Sequence, residues 1–214
     1  MTTTLKRTML LDPPWNETGG GKVKRGADRH YPLMHKQEIL RVVRDSGLWT
    51  PDPDCCSVWM WTTMNHLPDA LWLFASLGAV YVTNVVWVKA NEERRCDNCK
   101  GSDVTLRADG APLFCHACVE DSAGQMVVVP QHPGLGQRVR GCHEHLLFGR
   151  IGRVPVPPPA RRMPSVIYAP RGKHSAKPAE AFALIEAHDG PGDRLEWFAR
   201  STRPGWSSWG NEVA

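Results

Sequence analysis

The alternation of short apolar runs with amphipathic stretches is the feature that most constrains the fold of this chain. Apolar runs at Thr8–Leu11, Ser57–Trp61 and Val80–Lys89 have the composition of buried strands. Between them, His35–Asp45 carries apolar residues at helical spacing, and Pro68–Leu77 begins near a proline and precedes a glycine. A strand–helix–strand order of this kind predicts an α/β fold with a parallel sheet and right-handed crossovers.

The same pattern resumes in the last third of the chain after an interruption. We predict a strand over Gly141–Gly149, a helix over Ala176–Ala187 and a further strand over Asp193–Ala199. Arg150–Arg162 is rich in proline and arginine and is predicted to be a loop. Arg200–Gly210 is also predicted to be a loop, with two exposed tryptophans.

Length and composition are typical of one soluble globular domain over residues 1–214, with 42% hydrophobic and 22% charged residues. No apolar run reaches the roughly 18 residues of a membrane helix, and the N-terminus lacks the pattern of a secretory signal. We therefore expect a cytoplasmic protein of a prokaryotic or phage-infected cell. The net charge of +4 is compatible with a nucleic-acid partner but does not require one.

Four of the seven cysteines form two close pairs within residues 94–121, which interrupt the strand–helix pattern. Each pair has the Cys-x-x-Cys spacing of a structural zinc knuckle or ribbon, with four thiolates closing a tetrahedral site. The predicted zinc ligands are Cys96, Cys99, Cys115 and Cys118. Contact with nucleic acid and simple stabilisation of a long loop are both open roles for this insert, and two chance pairs of reduced thiols are the less favoured alternative.

A group of polar residues is expected at one edge of the predicted sheet. Ligands of open parallel sheets bind beyond the carboxyl ends of the strands, where Asp12, Thr62 to His66, Lys89 and Arg200 should lie. The Asp12 carboxylate and the Pro13 carbonyl are two acceptors for an exocyclic amine, and Trp15 is a flat stacking surface. This combination is suited to holding adenine or cytosine.

Asp12-Pro13-Pro14-Trp15 also resembles the catalytic signature of the N6-adenine methyltransferase family, whose eukaryotic members methylate adenosine in mRNA and which has many bacterial and phage relatives. Further blocks of the chain resemble the same family and follow its order, covering nearly all of the chain outside residues 90–140. These blocks are Tyr31-Pro32, the strand from Tyr81 to Lys89, His143-Glu144-His145, the stretch from His174 to Pro178, that from Arg194 to Arg200, and that from Gly205 to Glu212.

The resemblance implies a Rossmann-like methyltransferase fold in which the catalytic motif precedes the cofactor motif, with S-adenosylmethionine as methyl donor. It implies that Asp12, Pro13, Pro14 and Trp15 form the catalytic motif. Asp12 and the Pro13 carbonyl would hold the target amine, and Trp15 would stack on the target base. In a duplex, that base would first be flipped out of the helix.

The resemblance also implies two sets of contacts around the catalytic motif. The residues expected to bind the cofactor are Asp12, Ser175, Lys177, Glu196, Arg200, Asn211 and Glu212. Those expected to contact the substrate are Trp15, Tyr31, Asn65, His66 and Lys89. Lys177 would pair with the cofactor carboxylate, whereas Arg200 and Asn211 would bond to its ribose.

The sequence therefore predicts a site-specific DNA adenine-N6 methyltransferase. An RNA adenine methyltransferase and a catalytically silent, nucleic-acid-binding partner subunit remain alternatives, and cytosine is a less favoured target. Related chains work alone or in pairs, so a homodimer or heterodimer is also open. The target sequence is not visible in the chain.

Overall fold

The computed structural model of the chain describes residues 4–16, 33–94, 126–130, 139, 141–159, 162–172 and 176–213, leaving aside the side chains of 91–94 and 126–130. Within these residues the backbone forms one eight-stranded sheet and three α-helices. The strands are β1 (Thr8–Leu11), β2 (Cys55–Thr62), β3 (Val80–Arg94), β4 (Met126–Pro130), β5 (His143–Gly152), β6 (Val166–Ala169), β7 (Arg194–Trp197) and β8 (Ser207–Trp209). The helices are α1 (Lys36–Asp45), α2 (Leu67–Ser76) and α3 (Ala179–Asp189), with a 3₁₀ turn at Met64–His66.

The sheet is mixed rather than fully parallel. Its strand order is β4-β3-β5-β2-β1-β7-β8, and β6 also pairs with β3. Strands β1, β2 and β7 are parallel neighbours, as the sequence predicts, and β8, which the sequence does not predict, pairs parallel to β7. Strand β5 runs antiparallel to both β2 and β3 and separates them. The sequence shows β5 as an apolar run but contains no signal for its direction, which depends on the pairing it finds in the folded sheet.

Helices cover both faces of the central strands. On β1, Met9 and Leu11 face one core, which contains Ile39 of α1 and Phe74 of α2, while Leu10 faces the other. The second core contains residues of α3 and tryptophans of β2 and β3. Because each fully buried aliphatic side chain contributes about 1.5–3 kcal/mol, the two cores hold β1 rigidly in the centre of the sheet. The residue that follows β1 therefore has a fixed position.

Several predicted boundaries move when the chain folds. The predicted helix Ala176–Ala187 is wrong at its start, because Pro178 has an extended backbone and the helix begins at Ala179. Proline also disfavours helical backbone at the preceding residue. The predicted loop Arg200–Gly210 contains β8, and Trp206 in it is buried at 8% exposure instead of exposed. Strands β4 and β6 have no counterpart in the sequence-based prediction.

Some predictions fall on residues outside the described ranges. These include the zinc ligands Cys96, Cys99, Cys115 and Cys118, the insert at residues 94–121, and the site residues Tyr31 and Ser175. Among the described residues, there is no group of three or more His, Cys, Asp or Glu side chains placed to hold a metal ion. The described helices are all too short or too polar to cross a membrane.

Candidate active site

The turn after β1 presents Asp12 at the carboxyl edge of the sheet. The Asp12 N–H donates to the Trp197 carbonyl of β7 at 3.2 Å, which continues the sheet pairing one residue beyond the strand. The Trp15 N–H then donates to the Pro13 carbonyl at 2.9 Å and closes a tight turn. The Pro14 carbonyl accepts from the Met34 N–H at 2.8 Å, so the turn is also held from the side of α1. Asp12 is therefore fixed by backbone contacts on both sides.

A chain of four charged side chains runs inward from Asp12. The Lys177 Nζ lies 2.7 Å from Asp12 Oδ1 and 3.4 Å from Glu144 Oε2. Glu144 Oε1 lies 2.6 Å from the Lys89 Nζ on β3. Arg200 approaches Asp12 from the other side, with Nη2 3.9 Å from Oδ2. Two carboxylates and two lysines thus alternate at the edge of the sheet.

The charges of this network stabilise one another. Burial alone would lower the pKa of the Lys177 ammonium, but Asp12 and Glu144 outweigh it and raise that pKa. Burial would likewise raise the pKa of the Glu144 carboxyl, yet Lys177 and Lys89 hold it below its usual value. Both groups stay charged at neutral pH. An ionised carboxylate has about four acceptor positions, so Asp12 can still accept a hydrogen bond from a ligand while bound to Lys177.

Trp15 is less accessible than a stacking surface requires. Its side chain is buried at 7% exposure, and its indole N–H donates to the Trp61 carbonyl at 3.0 Å. The His66 ring stacks on it at 5.6 Å between ring centroids and 11° between planes. One face of the Trp15 ring is therefore occupied by an imidazole.

An open cleft lies beside Asp12 and extends over the ends of β7 and β8. It is lined by Asp12, Pro14, Met34, Phe198, Ala199, Arg200, Trp209, Asn211 and Glu212. Phe198 has a φ of 62°, in the left-handed region that non-glycine residues rarely adopt. Such a conformation costs about 1–3 kcal/mol and persists only where surrounding contacts impose it. Aromatic rings, a guanidinium and an amide thus surround one concave surface.

Gly210 permits the close approach of two backbones at the end of this cleft. The Ala199 N–H donates to the Trp209 carbonyl at 3.0 Å. A Cβ atom at position 210 would overlap the Ala199 carbonyl oxygen. Glycine is therefore required here on steric grounds, and it fixes where Asn211 and Glu212 enter the cleft.

The structure brings together most of the described residues that the sequence assigns to the site. Asp12, Arg200, Asn211 and Glu212 line the cleft, and Lys177 contacts Asp12. Lys89 joins them through Glu144. Asn65, by contrast, is exposed on the short turn before α2.

Sequence reasoning missed the role of Glu144 as the link between Lys177 and Lys89. Trp87 and Glu144 are register partners, and Lys89 lies two residues along β3 from Trp87, on the same face of the sheet. The available signal was an acid at the start of a strand that is otherwise apolar in its centre. Phe198, Trp209 and Met34 were also missed as cleft residues, since an isolated apolar residue carries no such signal.

Glu196 provides a prediction about pH dependence. Burial raises the pKa of its carboxyl to about 7, against the opposing effect of Arg203. The protonated carboxyl is thus favoured in the folded state, so its stabilising contribution is lost as pH rises from about 4.5 through 7. We expect Glu196→Gln to gain stability relative to the unsubstituted protein between pH 5.5 and 8, measured as the difference in Tm. Parallel pH profiles would contradict this assignment, and Glu180→Gln on the exposed side of α3 is the matched control.

A mixed α/β sheet with a ligand cleft over the carboxyl ends of its strands is compatible with a methyltransferase fold. The comparison with protein families agrees, since residues 123–212 match the MT-A70 family. The predicted resemblance to this family is thus confirmed over the matched stretch. The matched stretch contains Glu144, Lys177 and Asn211, whereas Asp12 and Trp15 precede it.

Two curated proteins are similar to this chain. The type II methyltransferase M.MunI of Mycoplasma sp. is 25% identical over 227 aligned residues, which span 97% of this chain and 77% of that protein. The human N(6)-adenine-specific methyltransferase METTL4 is 46% identical over 48 residues, which span 22% of this chain and 10% of that protein. The first similarity extends over almost the whole chain, and the second is a short and more closely matching segment.

Proposed function

We propose that this protein transfers a methyl group from S-adenosylmethionine to the exocyclic N6 amine of adenine in DNA. The observation that carries the proposal is the position of Asp12. Its carboxylate is held by Lys177 at 2.7 Å and borders the cleft, at the end of a rigid turn. A charged acceptor that is fixed beside a ligand cleft is suited to orienting an amine.

The cleft has the side chains needed for an adenosine-containing cofactor. Phe198 and Trp209 provide aromatic surface for a ring, while Arg200 and Asn211 provide donors for hydroxyl groups. When bound, S-adenosylmethionine supplies an activated methyl group on a sulfonium sulfur. Lys177 is the cation nearest to Asp12, and it would also attract the cofactor carboxylate.

The protein groups would act on the amine by positioning and electrostatics. Asp12 accepts one N–H of the amine. The Pro13 carbonyl accepts the Trp15 N–H but has a second lone pair, which leaves it one acceptor position for the amine. Hydrogen bonds of this kind favour a pyramidal nitrogen whose lone pair points toward the methyl group. Orientation of two reactants in this way lowers the barrier by removing rotational freedom before the reaction.

DNA is favoured over RNA as the substrate because M.MunI, a DNA methyltransferase, aligns with 97% of the chain. RNA adenine methylation is the second candidate. A catalytically silent, nucleic-acid-binding subunit is the third, and the intact Asp12, Lys177 and Asn211 argue against it.

Incubation with methyl-labelled cofactor and DNA or RNA oligonucleotides tests the proposal, with nucleoside mass analysis of the products. The expected product is N6-methyladenine in DNA. Methylated adenosine in RNA alone would favour the second candidate. No transfer to either, from a protein that binds them, would favour the silent subunit.

The four paired cysteines support a separate proposal, which rests on their spacing alone. We expect purified protein to contain about one zinc ion per chain by elemental analysis, since four thiolates complete a tetrahedral structural site. Cys96→Ser with Cys99→Ser should abolish that zinc content and lower the Tm. Cys142→Ser is the control, because Cys142 is a free thiol among the described residues. Retained zinc in the double variant would contradict the assignment.

Deleting residues 94–121 then tests whether the insert contacts nucleic acid. A loss of oligonucleotide affinity with a retained Tm would support that contact. Unchanged affinity would indicate that the insert only stabilises a long loop.

A further inference from the structure

The imidazole of His66 stacks on Trp15, the ring on which the family resemblance places the target base. The two rings are nearly parallel, at 11° and 5.6 Å between centroids. Trp15 is 7% exposed to solvent, and the side chain of His66 is 14% exposed. A base therefore cannot lie on this face of Trp15 while His66 stays where it is.

The indole is the fixed member of this pair. It belongs to the core that includes Ile39, Met60 and Leu147, and its N–H is bonded to the Trp61 carbonyl at 3.0 Å. Moving it would disrupt a packed interior and break a buried hydrogen bond, leaving a buried donor unsatisfied.

His66 is held by surface contacts instead. Its Nδ1 lies 3.5 Å from Asp69 Oδ2, and Asp69 Oδ1 lies 2.6 Å from the Lys36 Nζ. The Asp69 and Lys36 side chains are 36% and 30% exposed, so water competes for both contacts. His66 also ends the short 3₁₀ turn before α2, where its backbone N–H bonds to the Thr63 carbonyl at 3.2 Å. The imidazole can therefore leave with little disturbance of the core.

We infer that His66 is a gating residue that occupies the stacking face of Trp15 in the free protein and is displaced by the target base. The contact from Lys36 through Asp69 holds the imidazole in that position. The inference rests on the proposed function, since it requires a flat base to bind at Trp15. The His66 imidazole and the target base would thus compete for the same face of the Trp15 indole.

Replacing His66 by a residue without a ring should increase the contribution of the target base to the affinity for the oligonucleotide. Stacking of an aromatic pair corresponds to about a two- to tenfold change in an equilibrium constant. We therefore expect His66→Ala to increase the preference for an oligonucleotide with the target adenine over one with an abasic site by about that factor. A residue with only a structural role would change both affinities together.

The experiment uses an oligonucleotide that the unsubstituted protein methylates and its abasic counterpart, both fluorescently labelled. Anisotropy titrations with S-adenosylhomocysteine present give the two Kd values and their ratio. His66→Phe restores a stacking ring and should return the ratio toward that of the unsubstituted protein. Asp69→Asn weakens the anchor of His66 and should raise the ratio by a smaller factor, whereas Asp45→Asn, an exposed carboxylate on α1, is the matched control.

The outcomes separate the two claims. An unchanged or reduced ratio in His66→Ala, in an active protein with an unchanged Tm, would overturn the gate and leave the proposed function intact. Absence of methylation by the unsubstituted protein would overturn both. If His66→Ala lowers the Tm, the same ratio of Kd values is measured for Asp69→Asn instead. A ratio for Asp69→Asn equal to that for Asp45→Asn would then contradict the gating role of His66.

Discussion

Replacement of Asp12 by asparagine is expected to reduce the rate of methyl transfer by about 10²–10³-fold, the loss typical of removing one preorganised electrostatic contact. The carboxylate accepts from Lys177 through both of its oxygens, at 2.7 and 2.9 Å. An amide has one oxygen and would turn its NH₂ group either to Lys177 or to the target amine, and either orientation loses an acceptor. The measurement is single-turnover methylation with saturating cofactor.

Glu144→Gln is the matched control for this prediction. Both substitutions leave Lys177 with one carboxylate partner, but Asp12 borders the cleft and Glu144 is absent from its lining. Asp12→Asn should therefore lose more activity than Glu144→Gln although its loss of Tm is the smaller of the two. A rate for Asp12→Asn equal to that of Glu144→Gln would show that Asp12 acts only by stabilising Lys177.

Glu144→Gln itself is expected to produce the largest loss of stability. The Glu144 side chain is 12% exposed and contacts two lysine ammonium groups, at 2.6 and 3.4 Å. Removing one member of a buried ion pair costs about 3–5 kcal/mol, because the remaining charge is left buried without its partner. For a chain of this size, 1 kcal/mol shifts Tm by about 2–4 °C, so a decrease of roughly 6–20 °C is expected in a thermal melt.

The pH dependence of this loss follows from the lowered pKa of Glu144. A carboxyl whose pKa is lower in the folded state stabilises the protein above its unfolded pKa of about 4.5. That contribution disappears as pH falls through the folded value. The Tm difference between Glu144→Gln and the unsubstituted protein should therefore be largest near neutral pH and shrink below about pH 4.5. A difference that is constant across this range, or equal to that of Glu180→Gln, would contradict the assignment.

The elements with strong local signals were predictable from the sequence. Strand β1 has the predicted bounds Thr8–Leu11, because Thr8 and three consecutive apolar residues precede an acid and two prolines. Helix α1 begins one residue after the predicted start, and there the Glu38 carboxylate accepts from the His35 N–H at 2.8 Å. Asp12 follows β1 directly, so its position could be predicted from the end of that strand. In open parallel sheets, ligands bind beyond the carboxyl ends of the strands.

The remaining elements depend on contacts between distant parts of the chain. Strands β6 and β8 have four and three residues, too few for a clear alternation, and they form because β3 and β7 offer open edges. The stack of His66 on Trp15 joins two residues that are far apart in the sequence. Neither residue has a local pattern that indicates the other. The role of Glu144 was hidden for the same reason, since its partners come from β3 and from the segment before α3.

The antiparallel direction of β5 has a consequence for how this protein can vary. Because β5 is antiparallel to β3, its first residue, His143, lies opposite Val88, and Lys89 and Glu144 form an ion pair at this end of the two strands. Polypeptide added after Arg94, where β3 ends, interrupts none of the pairings that β5 makes with β2 and β3. New recognition surfaces can therefore be grafted after Arg94 without changing the ion pair between Lys89 and Glu144, and such a graft could redirect the proposed methylation to other targets.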